Sequence, residues 1–169
     1  MAARPNRFNP GFTMVELLLA LALTGLLLAA VATAFNASVT NYRQNQNAFK
    51  AVNNARQALT QMIERLRTAA IVDPFAPTDR CTLITADSND DITYRYLAGS
   101  DRLYLITNDN LTDSDYLLCD NITAMTFQKS TAVKDSLTYV TGVQISMTVT
   151  IGDIEKTLSA GTGIRRNMD

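Results

Sequence analysis

Gly11-Phe12-Thr13-Met14-Val15-Glu16 leads directly into an uncharged stretch that runs from Leu17 to Phe35. At about 1.5 Å of rise per residue, a helix of that length crosses most of a bilayer core. Glu16 stands at its lip. Drawing a carboxylate toward the bilayer centre costs roughly 2–4 kcal/mol, so its placement needs a reason. Arg4 and Arg7 precede the apolar run, and the next basic residue is Arg43. By the positive-inside rule the N-terminus stays in the cytoplasm and the remainder is exported.

A cleaved secretory signal also combines a basic start, an apolar core and a small-x-small site. Ala30-Val31-Ala32 and Ala32-Thr33-Ala34 both offer such a site. Against this reading, the apolar run exceeds a typical signal core, and Glu16 sits where only positive charge is expected. The chain beyond Phe35 also continues as helix. Val39, Tyr42, Phe49, Val52, Leu59, Met62, Ile63, Leu66 and Ala70 recur at helical spacing, opposite a polar face carrying Arg43, Lys50, Arg56, Glu64 and Arg67. No Pro or Gly intervenes between Gly25 and Asp73-Pro74. The pattern predicts one helix from near Phe12 to Val72, about 90 Å long, apolar all round in its first half and amphipathic in its second.

After Pro74 the period changes from helical to two. Cys81–Ala86, Ile92–Leu97, Arg102–Asn108, Ile122–Lys129, Val143–Ile151 and Ile154–Ala160 read as strands. In the clearest, Val143, Ile145, Met147, Val149 and Ile151 alternate with Gln144, Ser146, Thr148 and Thr150, as in an antiparallel strand over a core. Gly152-Asp153 supplies a two-residue hairpin turn. The sheet needs a cover and the amphipathic helix is the one available. The fold class is therefore α+β, a long N-terminal helix packed on a C-terminal antiparallel sheet.

The charge and residue inventory excludes several functions. The net charge is −1, and loss of the segment through Gly11, with Arg4 and Arg7, makes it −3. No bulk field draws nucleic acid to such a surface, so none is expected to bind directly. The chain has no histidine, the commonest catalytic base and metal ligand, and no enzyme is expected. Cys81 and Cys119 form no CxxC and face an oxidising compartment, which favours a Cys81–Cys119 disulfide; two buried free thiols are the alternative. Asp87, Asn89 and Asp91 begin like a calcium loop, and Asp113 and Asp115 lie in a second oxygen-rich segment. Ile92 replaces the required glycine and Ala98 the closing glutamate, so these are weak calcium candidates, and no other cofactor is expected.

Gly11-Phe12-Thr13-Met14-Val15-Glu16-Leu17-Leu18, continued by Ala20, Leu21, Ala22 and Gly25, resembles the processing motif of the type IV pilin and pseudopilin superfamily. The resemblance implies cleavage between Gly11 and Phe12 by prepilin peptidase, N-methylation of Phe12, and a fibre-assembly role for Glu16 toward a neighbouring subunit's N-terminal amine. It implies a leader at 1–11, a transmembrane and fibre-core half-helix at 12–35, an amphipathic half at 36–72, a linker at 73–80 and a periplasmic sheet domain at 81–169. Thr33 stands where many major pilins carry a kinking proline. The segment from Leu117 to Phe127, the Val143–Val149 strand and the terminal Arg165-Arg166-Asn167 resemble W-class minor pilins and J-class pseudopilins. That likeness implies an inner-membrane protein that joins other minor pilins or pseudopilins and the major pilin at a fibre tip. A major subunit, or an anchored exported domain outside any fibre, remains the alternative.

Overall fold

The computed structural model describes residues 11–87, 89–109 and 115–165. The chain divides into two compact units, Met1–Arg43 and Gln44–Asp169. A single helix, α1 (Met14–Arg67), contributes to both.

In the first unit the described residues from Met14 to Arg43 are helical, and nearly all are exposed. Leu17, Leu21, Leu28, Val31 and Phe35 each expose more than half of their surface. This part of α1 is long and apolar enough to cross a membrane. Its threonine hydroxyls are paired within the helix itself. Thr24 Oγ1 donates to the Ala20 carbonyl at 2.6 Å and Thr33 Oγ1 to that of Ala30 at 2.8 Å. Such back-bonding removes the polar cost that a bare hydroxyl would carry in lipid.

The second unit builds two antiparallel sheets beside the rest of α1. Strands β1 (Ala69–Val72), β2 (Arg80–Thr85), β3 (Asp91–Leu97), β4 (Arg102–Thr107) and β5 (Tyr116–Cys119) lie in sequential order in the first sheet. Strands β6 (Ile122–Lys134), β7 (Leu137–Ile151) and β8 (Ile154–Gly163) form the second. Val143, Ile145, Met147 and Val149 are buried in β7, as the alternation predicts. Ile151 pairs with Ile154 across Gly152-Asp153, and Gly152 has φ +56°, the only positive φ in that turn. This is the Gly-first hairpin turn, in which glycine supplies the left-handed backbone. Together, α1 and both sheets share one core containing Met62, Leu66, Tyr94, Leu103, Phe127 and Ile145.

Three local readings are corrected by the structure. The helix ends at Arg67, and Ala69–Val72 pairs with β2 as a strand instead of extending the helix to Val72. Thr68 turns its hydroxyl onto the Glu64 and Arg65 carbonyls at 3.2 and 3.3 Å, and the β-branched pair Ile71-Val72 then favours an extended path. The buried face of α1 is also rotated from the predicted stripe. Ala48, Ala51, Ala55, Ala58, Leu59, Met62 and Leu66 are buried, while Tyr42 and Phe49 are 68% and 67% exposed. Small side chains let the helix backbone lie close to the sheets, leaving bulkier apolar groups on its flanks. Finally, β6 and β7 run past the predicted strand ends and meet at Asp135-Ser136, both at positive φ (53° and 65°).

Candidate functional site: the N-terminal processing and assembly motif

Gly11, Phe12 and Thr13 are exposed and non-helical, and α1 begins at Met14. The Gly11–Phe12 peptide thus lies in free backbone one residue before the helix cap, where a peptidase can hold it extended. Nothing lies within 4 Å of a Cβ added at Gly11, and its φ is not in the left-handed range. No constraint inside the described chain therefore demands glycine there.

Thr13 and Glu16 close on each other. Glu16 Oε2 accepts from the Thr13 backbone N–H at 2.9 Å and from Thr13 Oγ1 at 3.0 Å. In return, the Glu16 backbone N–H donates to Thr13 Oγ1 at 3.3 Å. This is a capping box, in which N-cap threonine and N3 glutamate satisfy each other's orphan amides. The Thr-x-x-Glu spacing before an apolar run was the signal for it, hidden because the carboxylate reads so readily as a charge awaiting a partner. In the uncut chain the Phe12 nitrogen is a neutral amide. Cutting after Gly11 converts it to an amine that is mostly protonated at neutral pH, one residue from the capping threonine.

The other predicted residues fall elsewhere. Cys81 and Cys119 are both free and buried, so the predicted disulfide is replaced by its alternative. Topology supplies the reason. Cys81 pairs with Tyr94 on β3, Cys119 pairs with Leu103 on β4, and β2 and β5 stand three strand positions apart. At roughly 4.8 Å per strand that is about 14 Å, twice the limit for a disulfide. The thiols share the core face of one sheet but cannot meet. Burial pushes both up to about 11.

Two of the acidic candidates, Asp91 and Asp115, are engaged with neighbours. Asp91 Oδ1 accepts from Asn108 Nδ2 at 2.7 Å, and the Asp91 backbone N–H donates to Asp109 Oδ2 at 2.7 Å. Asp115 pairs with Arg95 at 3.5 Å, well away in sequence from Asp87 and Asn89, which flank the β2–β3 turn. Asp113, Arg166 and Asn167 lie outside the described residues. Among the described residues no three of His, Cys, Asp and Glu gather as a metal set.

Residues 6–32 match the family model for the prokaryotic N-terminal methylation motif. No curated protein and no solved structure matches the chain. The match covers the exposed Gly11–Phe12 peptide, the Thr13–Glu16 cap and the apolar first half of α1. With one long helix packed on antiparallel sheets behind it, the motif supports a type IV pilin-like protein.

Proposed function

We propose that the protein is a minor pilin or pseudopilin that helps to start or cap a type IV pilus or a type II secretion pseudopilus. The carrying observation is the uncovered apolar face of α1 from Met14 to Phe35, directly behind an exposed junction of the methylation motif. Burying such a face requires lipid before assembly and neighbouring helices after it. Prepilin peptidase cuts between Gly11 and Phe12 and methylates Phe12. The chain sits in the inner membrane with Gln44–Asp169 in the periplasm, then moves into the fibre with other minor subunits and the major pilin. Glu16 acts there by meeting the Phe12 amine of an adjacent subunit.

The tip position is supported by the W- and J-class pattern of the C-terminal strands and by Thr33 at the place of the kinking proline. Quantitative immunoblotting of sheared fibres against the membrane fraction tests it. A tip subunit is present at a small fraction of the main subunit, and deleting it lowers fibre number. Abundance equal to that of the main subunit would establish the alternative, a shaft pilin. Absence from fibres would leave an anchored exported domain.

A further inference from the structure

We infer that the outer edge of β8 receives an extended strand from a partner, one that presents apolar side chains and a carboxylate toward α1. The edges of the two sheets are treated unequally. β1 and β5 are four residues each. β6 is long, but its edge is occupied between Ile122 and Lys129: the backbone N–H groups of Ile122 and Phe127 donate to the Asp101 and Thr78 carbonyls at 3.0 and 2.8 Å, and Lys129 Nζ reaches the Ala76 carbonyl at 2.7 Å. β8 offers ten residues at the end of its sheet, without proline. Among the described residues no backbone group outside the β7 ladder bonds to it. Such an edge is a template for another strand.

Beside this edge runs a groove between β8 and α1, lined by Phe49, Val52, Ile154 and Leu158 together with Arg56 and Lys156. Leu158 pairs with the buried Met147 and Lys156 with the buried Val149, so both point to the core-facing side of β8. A lysine on that side repels a chance apolar strand, which is how exposed edges are protected from indiscriminate pairing. The groove has no acidic lining residue, and a second groove further along β8 adds Arg67 and Arg165. Among the described residues none of these four cations belongs to an ion pair. A partner strand therefore needs apolar groups over Phe49 and Val52 and a carboxylate opposite Lys156 to pass this filter. The inference is independent of the fibre reading.

The test uses the full chain in detergent micelles and amide hydrogen exchange over residues 154–163. The probes are the synthetic peptide Thr-Val-Thr-Glu-Thr-Val-Thr-Val-Thr and its counterpart with lysine in place of glutamate. The acidic peptide slows exchange of every second β8 amide at least tenfold and the basic one does not. In a chain carrying Lys156→Glu and Arg56→Glu, both exposed positions, the preference reverses. No protection by the acidic peptide, equal protection by both, or an unchanged preference in the double variant overturns the inference.

Discussion

Glu16 caps the helix, the proposed function gives it a second job in assembly, and three substitutions tell the two apart. In the uncut chain its carboxylate caps α1 through Thr13 at 2.9 and 3.0 Å. In a fibre the same group would face a neighbour's Phe12 amine in a water-poor surrounding. Thr13→Ala removes the cap and keeps the charge; losing an N-cap costs about 1 kcal/mol, which frays the first turn by about fivefold without melting the helix. Glu16→Gln keeps a side chain able to complete the capping box and removes the charge. Glu16→Val removes both. Leaving a buried charge unpaired costs about 3–5 kcal/mol, a loss of at least a hundredfold in the association constant. Assembly is read by immunoblot of sheared fibres, with membrane-fraction levels as the control for insertion. The expected order is near-normal incorporation for Thr13→Ala and at least a hundredfold loss for both Glu16 variants. Incorporation of Glu16→Gln at the unmodified level, with loss in Thr13→Ala, would show that Glu16 serves only as a cap.

Three further outcomes follow from the second unit. Unreduced protein denatured in the presence of maleimide gains two labels, one each at Cys81 and Cys119, whereas native labelling at pH 8 is slow because burial holds both thiols near 11; a chain 2 Da light and resistant to label would contradict the three-strand separation. Ala55→Leu, at a fully buried helix position, lowers stability by about 1–3 kcal/mol by overpacking, while Phe49→Ala, 67% exposed, changes it by less than about 0.5 kcal/mol; a larger loss at Phe49 in thermal melts would contradict the alanine face. Replacing Asp135-Ser136 by Asn-Gly raises the melting temperature, by about 1 kcal/mol of relieved left-handed strain, and a lowered one would contradict the paired positive φ angles.

The long helix, the antiparallel strands and the Gly152 turn were legible because each rests on a local pattern: an uncharged run, a period of two, a glycine where the backbone turns left-handed. The misread parts share a different cause. Alanine carries little hydrophobic signal, so Ala48, Ala51, Ala55 and Ala58 lost to the larger Tyr42 and Phe49, although close approach to a sheet selects for the smaller groups. Ala69-Ala70 is neutral between helix and strand, and only pairing with Thr85 and Ile84 on β2 decides that the stretch is extended. Asp135-Ser136 lacks the Asn-Gly signature, and its turn is imposed by two long strands that pair on either side of it. Compartment chemistry argued for joining Cys81 to Cys119, but strand order alone forbids it. At the N-terminus the methylation motif and the long apolar helix were readable from sequence. The reciprocal bonding of Thr13 needed coordinates, because a motif read for its charge conceals its role as a helix cap.

The central claim is that Gly11 is removed and Phe12 becomes the working N-terminus, and intact-mass analysis of the membrane-extracted protein with N-terminal fragmentation tests it most directly. The account predicts a chain starting at Phe12 and heavier by one methyl group. A chain retaining Met1–Gly11 in cells with active prepilin peptidase, or one starting at Thr33 or Phe35, would contradict it.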